Sequence, residues 1–311
     1  MNVTAKSMIV IADDLTGAND TGVQFAGQGM QTEVLLDGAA LTPSPATDII
    51  VVDTNSRAIP AKEAYLKVQT VAKQAHSMGF LHYYKKLDST LRGNVGVELK
   101  AILDLGLHEF AFVMPALPNN GRTTVGGHVL LHGVPLAATE IAKDPKSPVN
   151  ETVLPELLRQ QTASLVGHIG IAELCQGEAA ITKAIQQHLT QGCTIISCDA
   201  WLDEHFPLAA SAALRVSQRI LWSGSAGLAE FLPQLLKLHK PQTKQPTLVV
   251  AGSVSSVTRG QIDNLLADGY QLIDVQVADH LPFQQSPSLP SLQTALSYLA
   301  AGKSVVLASG Y

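Results

Sequence analysis

Cysteine, aromatic and charged residues are all scarce in this 311-residue chain. It has 3 cysteines, 5% aromatics and 15% Asp, Glu, Lys and Arg, where about 25% charged is usual. Cys175, Cys193 and Cys198, odd in number and without metal-site spacing, exclude a disulfide framework and read as reduced thiols in a cytoplasmic protein. So few aromatics leave no stacking platform for single-stranded nucleic acid. A net charge of −5 lacks the basic footprint of a nucleic-acid binder. No apolar run approaches the ~18 residues of a membrane span. The run Met8–Ala12 stops at Asp13-Asp14, short of the ~7–15 apolar residues of a secretory signal, and reads as a core strand.

Several motifs are missing too. No Gly-x-Gly-x-x-Gly follows a strand, which argues against a dinucleotide cofactor. Ser223-Gly224-Ser225-Ala226-Gly227 misses the nucleophile-elbow spacing by one residue. Gly302-Lys303-Ser304 resembles the end of a P-loop, but Ser297 stands where the upstream glycine is needed and a strand follows. His128 and His132 lie four apart on a Gly-rich strand segment, not on a helix face, so no zinc site is read.

What is present is a 46% hydrophobic chain, enough for a large core, in which short β-branched runs alternate with amphipathic stretches. Strands are expected at 8–11, 32–36, 49–52, 81–84, 110–114, 164–169, 194–197, 219–222, 247–251, 271–275 and 304–307. Helices are expected at 19–28, 61–78, 95–105, 178–190, 228–238, 258–268 and 292–300. This alternation indicates an α/β chain with parallel sheets. The segment 126–149 breaks it and reads as a hairpin followed by an irregular excursion. The polar stretch 237–246, with Pro241 and Pro246, reads as a linker between domains at 1–236 and 247–311. The second of these holds only about three strands and two helices, and its sheet reads as unfinished.

Ligands of open α/β sheets bind beyond the carboxyl ends of the strands, and those exits carry the polar residues here. Asp13-Asp14 follows the first strand. Adjacent carboxylates face opposite sides of an extended backbone, so one is expected in the crevice and the other as a helix cap. The alternative is that both only cap and bias the helix N-terminus. Arg57 could clamp a carboxylate or phosphate, or be a plain surface arginine. The densest cluster is Lys85-Lys86-Leu87-Asp88-Ser89-Thr90-Leu91-Arg92-Gly93-Asn94. It suits an anion at a strand-to-helix junction, against the alternative of a charged turn with a capping box involving Asn94 and Glu98. Arg122 follows a loop stiffened by Pro115 and Pro118. Ser223–Gly227 and Gly252–Ser256 are either phosphate-approaching loops or tight turns with Ser caps.

Taken together, these stretches resemble the four-carbon acid sugar kinase family. The resemblance runs through Ile9–Asp20, Asn55-Ser56-Arg57, Lys85–Asn94, Gly121–Thr124, Gly133–Leu136, Asp144–Pro148, Ser225–Leu228 and Ala251–Ser255, in the family's order across nearly the whole chain. The Asp144-Pro145-Lys146 excursion looks most like the D-threonate kinase branch. The resemblance implies an N-terminal acid-sugar-binding domain, a C-terminal nucleotide-binding domain, and ATP-dependent phosphorylation of the 4-hydroxyl of a tetronate. D-Threonate is the leading substrate, with 3-oxo-tetronate and D-erythronate as alternatives. A sugar-acid-binding protein without turnover is the alternative of another class. Carried over, Asp14, Arg57, Lys86, Leu87, Asp88 and Ser89 would hold the substrate. From the residues themselves, Asp13, Arg92 and Arg122 are added to the substrate side, with Asp14 as base and Asp88 as its rival. Ser253 and Ser255 would sit at the ATP phosphates. Mg²⁺ is expected with ATP, with no ligand assigned. The partners implied are the sugar acid and ATP, with no nucleic acid and no membrane; a homodimer is allowed for, with no residue arguing for it. Family members continue past Tyr311 with further Gly-rich loops, in keeping with the unfinished sheet.

Overall fold

The computed structural model describes residues 7–37, 41–42, 44, 46–238, 246–275 and 290–309. It divides into two compact units, Met1–Pro241 and Gln242–Tyr311. Most of the expected linker at 237–246 lies outside the described residues.

The first unit is built on an eight-stranded parallel sheet. Its strands are β1 (Met8–Ala12), β2 (Thr32–Leu35), β3 (Ile49–Asp53), β4 (His82–Lys86), β5 (Phe110–Met114), β9 (Val166–Ile169), β10 (Ile195–Cys198) and β11 (Ile220–Gly224), ordered β2-β3-β1-β4-β11-β5-β10-β9. All their pairings are parallel. The chain leaves β1 toward β2 and β3, then crosses back to β4 on the other side, so the order reverses between β1 and β4. That reversal is where an α/β sheet opens a crevice at its carboxyl end.

Side-chain alternation builds a core on each face. From β1, Met8, Val10 and Ala12 enter one core with Tyr84, Phe112 and Trp222, while Ile9 and Ile11 enter the other with Tyr83, Val113 and Leu221. Burial on both faces explains why these strands read as continuous apolar runs. Helices α1 (Leu15–Ala26), α5 (Ile171–Gln176), α6 (Glu178–Thr190), α7 (His205–Val216) and α8 (Ala226–Leu235) cover the first face. Helices α2 (Ala61–Ser77), α3 (Val95–Leu103) and α4 (Leu154–Thr162) cover the second.

Three differences from the sequence expectation stand out. Helix α1 begins at Leu15 rather than Asn19, because the Asp14 side chain caps it by accepting from Gly17 N at 2.9 Å. Helices α4, α5 and α7 were not anticipated: α5 is only six residues long, and prolines sit in the first turns of α4 and α7, where proline is tolerated. The hairpin begins earlier than expected, pairing β6 (Arg122–Val125) with β7 (His128–Leu131), and β8 (Val134–Pro135) adds a third antiparallel strand. Arg122 therefore opens a strand instead of riding on a loop.

The second unit is a three-stranded parallel sheet, ordered β12 (Leu248–Ala251), β14 (Val305–Ala308), β13 (Gln271–Asp274), with helices α9 (Ser256–Ala267) and α10 (Pro290–Ala300). Ile262, Val306 and Ala308 form its small core. Among the described residues, no helix is long and apolar enough to cross a membrane.

Candidate functional site

Beyond the ends of β1 and β4 lies a cleft of about 390 Å³, lined among others by Asp14, Gly17, Arg57, Lys86, Asp88 and Ser89. Thr16, Asp20, Arg92, Asn120, Arg122 and Ser225 add to its polar wall. Five separate stretches of sequence thus meet in this cleft.

The alternation that builds the two cores also sorts the charged residues. Lys85 follows Tyr83 toward the α3 layer, where its Nζ meets Glu98 at 2.7 Å with both side chains almost fully buried. Glu98 also accepts from Ser56 Oγ at 2.6 Å. Glu98 therefore serves a buried ion pair, not the capping box read as an alternative. Asn94 makes no side-chain cap; its Nδ2 instead donates to the carbonyls of Ser56 and Ile59 at 3.0 and 2.9 Å. Lys86 faces the opposite way, toward α1. A Cβ on Gly17 would lie 2.5 Å from Lys86 Nζ and 2.7 Å from Asp14 Oδ1, so only glycine leaves room for both ammonium and carboxylate to approach this helix start.

The Asp pair behaves in a way the sequence did not separate. Asp14 both caps α1 and lines the cleft. Asp13 is buried below it, with Oδ2 accepting from Arg57 Nε at 2.6 Å and Oδ1 without a hydrogen-bond partner. Arg57 Nη2 donates to Asp14 Oδ1 at 2.7 Å and lies 3.8 Å from Asp88 Oδ1. Burial works against the Arg57 charge, but its hydrogen bond to Asp13 and the charges of Asp13, Asp88 and Asp14 outweigh it and raise its pKa. Arg57 is thus largely occupied by the protein's own carboxylates. All the described contacts of Asp14 fall on Oδ1, which leaves Oδ2 for a ligand.

Asp88 is saturated. Both of its oxygens accept from Arg92, at 2.7 and 3.1 Å, and Thr90 Oγ1 donates to it as well. Burial alone would raise its pKa; Arg92, Arg57 and Thr90 together hold it far below the usual carboxylate range. Leu91, between them, adopts a left-handed φ of 59°, which folds Arg92 back over Asp88. Arg92 Nη1 also donates to Asp144 at 3.3 Å, tying the 144–148 excursion to the cleft wall. Lys86 donates to Leu87 O at 2.7 Å. Burial pushes its pKa below the ordinary lysine value, against the pull of Asp13, Asp88 and Asp14.

Of the residues read from sequence, Asp14, Arg57, Lys86, Asp88, Ser89, Arg92 and Arg122 line one cleft. Asp13 and Leu87 support it from beneath without lining it. Ser253 and Ser255 belong to the second unit, where Ser255 caps α9 by accepting from Thr258 N. Sequence reasoning missed the pairing of Lys85 with Glu98 and Asp144 as a partner of Arg92, and it marked the Ser223–Gly227 loop without placing Ser225 in this cleft. Ser225 caps α8 while donating to Ala116 O at 2.7 Å. Gly224 and Gly227 beside it are forced by the backbone carbonyls of Met114 and Ala116. That loop is a packed tight turn with a Ser cap. Among the described residues, no group of three His, Cys, Asp or Glu side chains could hold a metal ion.

The family model for a sugar-binding N-terminal domain matches residues 8–232. The chain is 39% identical over 273 residues to a D-threonate kinase of Salmonella typhimurium, covering 87% of this chain and 64% of the relative. It is 35% identical to a D-erythronate kinase of Heliobacterium modesticaldum, covering 86% and 63%. The chain therefore spans slightly under two thirds of these curated relatives. A Salmonella typhimurium LT2 protein described as a tRNA synthase superposes with a TM-score of 0.69 at 26% identity, covering 98% of this chain and 75% of that one. A Bordetella bronchiseptica domain crystallised with bound citrate as a domain-swapped dimer superposes with 0.65 at 27% identity, covering 97% and 74%. A matched sugar-binding domain and relatives that are kinases of four-carbon acids agree with the motifs: the chain belongs to the four-carbon acid sugar kinase family.

Proposed function

We propose that the protein binds a four-carbon sugar acid in the cleft between β1 and β4 and acts in its phosphorylation at the 4-hydroxyl by ATP. D-Threonate is the leading substrate, and D-erythronate and 3-oxo-tetronate are the alternatives. The observation that carries this reading is the approach of both Asp14 and Lys86 to Gly17, which brings a carboxylate with a free oxygen and a buried ammonium to the start of α1. Phosphoryl transfer asks mainly for positioning and charge neutralisation, and this pair supplies both. The substrate's 4-oxygen bonds to the γ-phosphorus, the bond from that phosphorus to the β,γ-bridging oxygen breaks, and ADP leaves. The hydroxyl proton passes to Asp14 Oδ2.

Asp88 does not suit the base role. Its oxygens are taken by Arg92 and Thr90, and its low pKa makes it a poor proton acceptor. Its work is to hold Arg92 and, with Asp13 and Asp14, Arg57. Ser253 and Ser255 are proposed for the ATP phosphates on the family resemblance. Mg²⁺ would come with the nucleotide; the donor set of the cleft makes no metal cage, and no step is derived through the ion. Cytoplasmic location and a homodimer stay part of the proposal.

A coupled ADP-release assay with D-threonate, D-erythronate and 3-oxo-tetronate tests this reading. Release with one acid, lowered about 10²–10⁴-fold by Asp14→Asn, is the expected result. Unchanged turnover in that variant would remove Asp14 as the base.

A further inference from the structure

The cations of the cleft differ in how fully the chain itself neutralises them. Arg57 is held by Asp13 and Asp14, and Arg92 by Asp88 and Asp144. Lys86 makes no ion pair among the described residues but spends a hydrogen bond on Leu87 O. Arg122 lacks both kinds of partner: among the described residues no carboxylate comes within ion-pair distance of its guanidinium, and its Nε is buried without a hydrogen-bond partner. A buried N–H left unpaired is costly, and each case in a native protein calls for an explanation.

Its backbone, by contrast, is over-determined. Leu117 N donates to Arg122 O at 2.8 Å, and Arg122 N to Leu117 O at 3.1 Å. Gly121 before it has a φ of 69°, and a Cβ there would strike the His132 ring at 2.2 Å. His132 N in turn donates to Gly121 O at 2.7 Å. At the far end of the hairpin, the fully buried carboxylate of Asp199 accepts from Gly126 N and Gly127 N at 2.6 and 2.9 Å. Thr124 and Ala200 exchange backbone hydrogen bonds at 2.8 and 3.0 Å. A rigidly held backbone carrying an unpaired charged head is the arrangement of a residue kept for a ligand.

The rest of the cleft decides which part of the ligand. Asp14 Oδ2 and Lys86 mark the end where the hydroxyl reacts. The carboxylate of a tetronate lies at the other end of its four-carbon chain, so a different cation has to take it. A guanidinium fork matches a carboxylate with two parallel hydrogen bonds, which an ammonium cannot do. We propose that Arg122 receives the substrate's carboxylate and thereby selects sugar acids over neutral tetritols of the same length and hydroxyl pattern. The proposal rests on the acid-sugar reading above and adds to it the orientation of the substrate and the group that is recognised.

The test is calorimetric titration of the full chain with D-threonate and D-erythronate, beside threitol and erythritol. The proteins are wild type, Arg122→Lys and Arg122→Ala. Arg122→Ala is expected to lose at least 30-fold in acid affinity with tetritol affinity unmoved, so that the preference for acids collapses. Arg122→Lys, which keeps the charge and the bulk, is expected to fall between. Equal losses for acid and tetritol, or unchanged acid affinity, would overturn the proposal while leaving the sugar-acid site standing. Wild-type protein that binds no tetronate would overturn the acid-sugar reading and this inference with it.

Discussion

Gly17→Ala separates what folds this protein from what makes its cleft work. Alanine is the better helix former by up to about 1 kcal/mol, and position 17 lies inside α1, so no backbone penalty opposes the change. The added Cβ would fall 2.5 Å from Lys86 Nζ and 2.7 Å from Asp14 Oδ1, where ordinary contact begins near 3.4 Å. Lys86 is the far end of a flexible side chain and can retreat by roughly 1 Å without disturbing the core. Stability is therefore expected to hold within about 1 kcal/mol, a shift of no more than about 2–4 °C in Tm for a unit of this size. Function should not hold, because displacing a positioned group by about 1 Å costs on the order of 100-fold. The assays are a thermal melt, acid binding by calorimetry, and kcat/KM where turnover is measured. A variant with wild-type Tm and a roughly 100-fold loss of binding or kcat/KM agrees with the reasoning. A variant that binds and turns over like wild type would refute the claim that Lys86 and Asp14 must both reach this point.

Other perturbations address the supports. Glu98→Ala should destabilise the protein by about 3–5 kcal/mol, because it strands the buried Lys85 ammonium, and Lys85→Met with Glu98→Leu should recover most of that loss; urea unfolding of both variants measures it. Asp88→Asn should cost about 2–3 kcal/mol through its charged hydrogen bonds to Arg92. The lowered Asp88 pKa means that the unfolded chain binds a proton more readily below about pH 4. Wild-type stability should therefore fall as the pH drops through that region, and the fall should be shallower in Asp88→Asn, read as urea midpoints between pH 2 and 6. Asp199→Asn should raise KM for the acid more than it lowers kcat, by loosening the hairpin that carries Arg122, and should speed proteolytic cutting near Gly126-Gly127.

Much of this architecture is legible in the sequence because both faces of the main sheet are buried. Runs such as Met8–Ala12 and Phe110–Met114 have no other use than central parallel strands. The cleft is legible for a related reason: charged and hydroxyl residues crowd at the strand exits, and Asp14, Arg57, Lys86, Asp88 and Arg122 do converge there. What could not be read is which charges the protein spends on itself. Lys85 and Lys86 are identical neighbours in sequence, and only the alternation of β4, set by its register against β1, sends one to Glu98 and the other to Gly17. Asp13 and Asp14 are divided in the same way. The pairing of Arg92 with Asp144 spans 52 residues, with no local pattern to announce it. The helices missed were those shorter than two turns, as α5 is, or opened by a proline, as α4 and α7 are.

The central claim is that this cleft is a sugar-acid site with Lys86 at its reacting end. Calorimetric titration of D-threonate into wild type and Lys86→Ala tests it most directly, since binding needs neither nucleotide nor turnover. The account predicts one acid bound per chain and a loss of at least 10-fold in the variant. No binding to wild type, or binding that Lys86→Ala leaves unchanged, would contradict it.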